Sequence, residues 1–297
     1  MENTPCYNTK KGGSDRMSQE SRFTPRSQSR HFEEPEHKAH KQHRKSAAKP
    51  SQKKKGKKNA FLNVLLVFFC AVFLFSAYKL VSQYMVYQQA DSEYDEVRQL
   101  AGISGDTDEI SRPDFAALQA INPEIVGWIT VPGTVISYPV AQADDNDKYL
   151  HTTFEGKSNA SGCVFMDKDS QSDGKGQHTI LYGHNMKNGS MFHDLLQFRN
   201  AEFFNAHPVI YYDTPEERIE LRVIAAYVAD ANDEYNFIHA SLSDFQAFLQ
   251  RGIEKSPVQV DIDVSKITSA FSLQTCSYET DNSRTFVLAV PVSQIQP

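Results

Sequence analysis

Ser272-Leu273-Gln274-Thr275-Cys276, followed eight positions further on by Arg284-Thr285-Phe286-Val287-Leu288-Ala289-Val290, is the stretch on which the reading of this chain turns. The first run closes an apolar stretch on a cysteine and the second opens on an arginine. Two neighbouring strands would therefore bring a thiol and a guanidinium to one edge of a sheet. Far upstream, Thr179-Ile180-Leu181-Tyr182-Gly183-His184-Asn185 sets a histidine directly behind a third apolar run. A cysteine nucleophile reacts as the thiolate, so it needs a cationic or donor group beside it and a partner able to move a proton. His184 and Arg284 supply those types, and the arginine adds a planar fork of N–H donors suited to an oxyanion or a substrate carbonyl. Taken singly, each has a plainer reading: a buried thiol, a turn histidine, a charge on an edge strand. Three such groups at three strand ends make a constellation for acyl transfer through a cysteine nucleophile.

From Ile125 the chain reads as short β-runs separated by turn residues: 125–131, 134–140, 162–167, 178–182, 208–212, 221–229, 267–276 and 284–290. Eight runs without regular helices between them argue a closed or nearly closed barrel rather than a parallel α/β sheet. Two helical insertions interrupt the pattern. One covers 190–198, just after the histidine; the other covers 243–253, where Phe245, Phe248 and Leu249 make one apolar face. A short helix fits 112–121, with Ser111 or Asp114 near its start and Asn122-Pro123 ending it. The fold class is mainly β with helical additions.

The N-terminal third is different. Residues 1–58 hold 16 lysines and arginines against 6 acids, which leaves 15 against 31 for residues 59–297, so the formal charge of −6 hides two opposite halves. The first segment is rich in Ser, Gln, Lys, Arg, His and Pro and nearly lacks aliphatic residues, the composition of a disordered tail. Next comes a charge-free stretch from Phe61 to Tyr78, with Asn63 its one strongly polar residue near an end. At ~1.5 Å per residue it nearly crosses a ~30 Å hydrocarbon core. A cleaved leader would need a short basic start and small residues before the cut. Here the leader is far too long, and Phe75 stands where a small residue would be needed for cleavage after Ala77. The basic run Lys53-Lys54-Lys55-Gly56-Lys57-Lys58 directly before the span predicts a cytoplasmic N-terminus. The expected organisation is a basic cytoplasmic tail over 1–58, a single-pass transmembrane signal anchor over 59–79, an extracellular stalk helix over 80–111 and a catalytic domain over 112–297. Within the stalk, 80–100 has helical composition. The tail offers charge without a folded reading surface, so nucleic acid is not an expected partner.

The cysteines, Cys6, Cys70, Cys163 and Cys276, are scattered and form neither a zinc spacing nor a disulfide framework. Cys163 reads as a small apolar residue on a strand, with a Cys163–Cys276 disulfide the sharper alternative. Of the other histidines, His193 on the turn after His184 is the second choice for the proton carrier, while His178 starts its strand and belongs at the opposite end. The acidic run Asp167 to Gly174 resembles a calcium loop, yet a loop begun at Asp169 would place Ile180 where the bidentate glutamate belongs. No metal or cofactor is called for.

The residues around Cys276, Arg284 and His184 resemble the sortase family, whose signature is TLxTC followed closely by a catalytic arginine, with the histidine in a Gly-His-(Asn/Thr) context. The chain has Ser272 where the family usually has Thr. The likeness extends over Asn122 to Val140, Asp145 to His151, Ile180 to Phe192 and Leu273 to Arg284, and is to class B sortases in order and spacing. It implies an eight-stranded sortase barrel, N-terminal helices packed on it, and a long helix inserted between two late strands. It also implies a reaction in which Cys276 attacks the threonine carbonyl of a C-terminal sorting signal on a secreted protein. An amine of a cell-wall (peptidoglycan) precursor or a pilin lysine then resolves the thioester. Cys276, His184 and Arg284 are the candidate catalytic residues; Thr275, Leu273, Asn185 and Tyr278 are the candidate substrate-binding ones. Two other classes compete: a cysteine peptidase or amidase using water as acceptor, and a non-catalytic surface protein on a membrane stalk.

Overall fold

The computed structural model describes residues 56–103, 111–230, 239–276 and 283–295. Tyr278, and the expected tail up to residue 55, lie outside these. Helix α1 runs Gly56–Leu100 and α2 Phe115–Ile121, followed by strands β1 Ile125–Thr130, β2 Ser137–Ala141, β3 Val164–Met166 and β4 His178–Tyr182. A 3-10 segment His193–Arg199 and helix α3 Ala201–Ala206 precede β5 Val209–Asp213 and β6 Arg218–Asp230; helix α4 Leu242–Lys255 then leads to β7 Ala270–Cys276 and β8 Ser283–Pro291. The strands close a barrel in the order β1-β2-β3-β4-β7-β8-β6-β5. Two pairs, β2 with β3 and β4 with β7, are parallel; the others are antiparallel.

Inside the barrel Trp128, Val140, Leu181, Tyr212, Leu273 and Val287 pack into one core. A second cluster forms where α4 lies on the outer faces of β6 and β8, joining Phe245, Phe248, Leu249 and Ile253 to Ile224, Tyr227, Phe286 and Leu288. This second layer explains the unbroken apolar run of β8. A strand covered on both faces gains nothing from alternation. Burying each of the two α4 phenylalanines contributes about 1.5–3 kcal/mol. The helix sits close because residue 252 is glycine: a Cβ there would come within 2.5 Å of Leu288 Cδ1 and 3.0 Å of the Tyr227 ring. In β6 the register shifts between Val223 and Ala225, and Val223 and Ala226 both face the interior core. The extra residue of a bulge permits that phase change.

α1 is continuous from the apolar segment into the expected stalk. Among the described residues it is the one helix long and apolar enough to cross a membrane. The part up to Ala77 and the part from Tyr78 onward belong to two separate units. In the second unit Ala90, Tyr94, Val97 and Ala101 are buried, and the helix ends where Gly102 adopts φ 71°, with Gly102 N donating to Gln99 O and Ile103 N to Arg98 O. Glycine adopts that left-handed cap without steric cost. α2 starts at Phe115 because Asp114 Oδ1 accepts from the Ala116 and Ala117 amides, a side-chain cap worth about 1 kcal/mol.

Candidate active site

Strand direction gathers the three groups. β4 and β7 are parallel, with Tyr182 opposite Gln274, so the chain beyond β4 and the end of β7 emerge at the same rim. Gly183 N donates to Gln274 O there, 3.2 Å away, which delivers His184 next to the end of β7. β8 is antiparallel to β7 and begins where β7 ends, with Arg284 the register partner of Cys276. His178, at the start of β4, is opposite Ala270 at the far end of the same pair.

His184 is largely enclosed. Its Nε2 lies 2.7 Å from the Leu150 carbonyl oxygen. A carbonyl can only accept, so Nε2 carries the hydrogen and Nδ1 keeps the lone pair in the neutral ring. Burial holds the imidazole below its ordinary range; the Leu150 bond acts in the opposite sense, and His151 adds to the depression. The rings of His151 and His184 are stacked with centroids 6.3 Å apart. Gly183 is needed beside it, because a Cβ there would meet the buried Phe192 ring at 2.6 Å.

Arg284 is half-buried, its guanidinium 5.8 Å from the centroid of the Tyr182 ring. Tyr182 is itself fixed: its hydroxyl donates to Asp167 Oδ2 at 3.0 Å, and the same oxygen accepts from Asn146 Nδ2 at 2.8 Å. Burial, and then the Asp167 carboxylate, push this phenol well above its ordinary value. The ring thus stays neutral and offers its π face to the cation.

The expected substrate-binding residues fall in different places. Leu273 is buried in the interior core, so its side chain packs the barrel rather than lining a surface, the position that period-2 alternation gives it. Thr275, also buried, has an Oγ1 without a hydrogen-bond partner. Asn185 is buried, with Oδ1 2.8 Å from Nδ1 of His193, so the second-choice histidine is engaged with Asn185. Cys163 is free and wholly buried, and burial pushes its thiol up to about 12. Ser272, the departure from the signature, has Oγ 2.6 Å from Nε2 of His178, whose Nδ1 lies 3.2 Å from Nε2 of His239. Three features went unforeseen: the Leu150 carbonyl and His151 beside the histidine, Tyr182 beneath the arginine, and Gln274, 1% exposed with neither amide atom hydrogen-bonded. Tyr182 and Gln274 stood two residues before the histidine and the cysteine, where alternation along a strand is the available signal.

Known proteins match this architecture. Residues 129–292 match the sortase domain family. Sortase B of Staphylococcus aureus is 30% identical over 235 residues, covering 77% of this chain and 96% of its own. The crystal structure of sortase B from Bacillus anthracis in complex with AAEK1 is 34% identical, covers 70% of this chain and 99% of its own, and superposes with a TM-score of 0.60. A Staphylococcus aureus sortase B–substrate complex gives 31% identity, 69% and 97% coverage and a TM-score of 0.62. A closed mixed barrel of this order, with such relatives, defines a cysteine transpeptidase. The chain belongs to the sortase family, and within it to class B.

Proposed function

We propose that Cys276 is the nucleophile, His184 the acid–base group and Arg284 the oxyanion donor of a membrane-anchored transpeptidase acting on C-terminal sorting signals of secreted proteins. The observation that carries this reading is the register, with β4 parallel to β7 and Cys276 opposite Arg284, which brings three separated sequence positions to one rim. The Cys276 thiol gives its proton to Nδ1 of His184, the resulting thiolate attacks the threonine carbonyl carbon, and the oxyanion of the tetrahedral intermediate is held by the Arg284 fork. The C–N bond breaks, His184 gives a proton to the departing amine, and a thioester remains. An incoming amine of a cell-wall precursor or a pilin lysine adds to the same carbon, loses its proton to His184 and expels the thiolate, leaving an amide. With Nε2 tied to the Leu150 carbonyl, Nδ1 is the nitrogen for those transfers.

The apolar stretch of α1 and the lysines before it support an N-terminus-in anchor with the barrel outside. On this reading α4 and its flanks form one wall of the substrate groove and favour signals of the Asn-Pro-x-Thr kind over the Leu-Pro-x-Thr kind. Pocket contacts of this type discriminate by about 1–3 kcal/mol, so a preference is expected. Competing the two peptides with and without added amine tests both claims. The expected outcome is faster consumption of the Asn-Pro peptide and product diverted from acid to amide as amine is raised. Equal rates would remove the class B selectivity, and acid product at every amine concentration would make the enzyme a hydrolase.

A further inference from the structure

The loop that carries His184 is held from behind. Among the described residues Met191 is the one non-glycine with positive φ, at 58°, a left-handed conformation that costs a non-glycine residue about 1–2 kcal/mol. It pairs as an isolated antiparallel bridge with Asn185, and Phe192 N donates to His184 O at 2.9 Å, so residues 184–192 close on themselves at this point. The buried Met191 amide has a partner outside the loop: it donates to the Tyr138 hydroxyl at 3.0 Å.

Tyr138 in turn is clamped by α1. The Tyr94 ring meets it edge-on with centroids 5.3 Å apart, and the Arg98 guanidinium lies 4.9 Å from its centroid while Arg98 Nε donates to Ser137 O at 3.0 Å. One turn earlier, Asp91 accepts from Asn188 Nδ2 of the histidine loop at 3.2 Å. Asp91, Tyr94 and Arg98 follow the three- and four-residue spacing of one helix face. The same face reaches the other support of the histidine: the Tyr94 hydroxyl donates to Gly162 O, and Cys163 N donates to Tyr149 O, the residue before Leu150.

We propose that Tyr138 is a positioning residue for His184, held in register by Tyr94 and Arg98 while Asp91 ties the histidine loop to the same helix face through Asn188, so that the last turns of α1 are part of the active-site scaffold. This rests on the reading of His184 as the acid–base group. Losing the Tyr138 hydroxyl strands a buried amide already in a left-handed conformation, and the loop relaxes by letting the histidine drift. Small displacements of a catalytic group cost up to ~10²-fold in rate.

The test uses the full chain in detergent micelles with the variants Tyr138→Phe, Asn188→Ala and His184→Ala, measuring kcat, KM, pH profile and thermal midpoint. For Tyr138→Phe we expect kcat to fall by ~10-fold or more with KM within about twofold of wild type, and the histidine limb of the pH profile to move up toward the ordinary imidazole range as the ring gains water. A packing role alone would lower the thermal midpoint and leave that limb in place. Asn188→Ala, an exposed change, should lower kcat at least ~2-fold in the same direction; it decides the matter should Tyr138→Phe not fold. A Tyr138→Phe enzyme with wild-type kcat and an unmoved limb, or an unchanged Asn188→Ala where Tyr138→Phe is unfolded, overturns the inference when His184→Ala is inactive. An active His184→Ala overturns the underlying assignment instead.

Discussion

Arg284 shows most directly how little room a single residue has. Its position is set twice, by the ladder that pairs it with Cys276 and by the Tyr182 ring beneath its guanidinium. Lysine would keep the charge and lose both the planar donor fork and the flat face that lies over the ring. Arg284→Lys is therefore expected to lower turnover by at least ~10²-fold, the loss seen when one oxyanion donor is removed, with the thermal midpoint little changed. Steady-state kinetics with a sorting-signal peptide measure this, and a Lys variant near wild-type turnover would mean that charge alone suffices. At this scale the strand ends that carry the three proposed reactive groups were legible, because each group follows or opens an apolar run. It was silent on Leu150, His151 and Tyr182 as their neighbours, since those contacts join segments with no local periodic relation. Leu273, expected to bind substrate, is buried in the interior core, where two-residue alternation from buried Phe271 points it.

Among the elements, β4 follows its apolar run from His178 to Tyr182 without adjustment, while β2 begins three residues later than the pattern suggested. The turn after Pro132-Gly133 is longer than two residues, closed by Val131 N donating to Ile136 O and Thr134 Oγ1 to Val131 O. The helix expected over 190–198 is a 3-10 segment followed by α3. Met191 at positive φ cannot begin a helix, and Asn200, extended at φ −86° and ψ 127°, caps the Glu202 and Phe203 amides to start a new one. The α4 insertion matches its apolar period closely, but the polar patch beneath it was not foreseen. There the His178 ring lies tilted against Phe248, centroids 5.0 Å apart, and is held by Ser272 and His239. Burial takes the His178 imidazole from 6.5 down to about 3, with His239 adding to the effect. Between those values the unfolded chain binds the proton and the folded one does not, so stability falls as pH falls, by up to ~1.4 kcal/mol per pH unit from this group. His178→Asn removes that component. The thermal-midpoint advantage of wild type over the variant is thus expected to shrink steadily from pH 7 to pH 4, and a constant gap would mean that the buried imidazole does not contribute this pH dependence.

For the whole molecule the governing fact is a closed barrel whose two parallel pairs turn sequence distance into proximity. Eight apolar runs and scarce helices made a barrel legible; strand order was not, because nothing local in β4 or β7 specifies that they pair in parallel across 87 intervening residues. That pairing is what sets His184 at the same rim as Cys276, and the assignment of the nucleophile depends on it. The most direct measurement is mass spectrometry of the full chain incubated with an Asn-Pro-x-Thr sorting-signal peptide, comparing wild type with Cys276→Ala and Cys163→Ala. A covalent acyl adduct is expected on wild type and on Cys163→Ala, whose deleted thiol is buried and held protonated, and none on Cys276→Ala. An undiminished adduct on Cys276→Ala, or its loss in a folded Cys163→Ala protein, would contradict it.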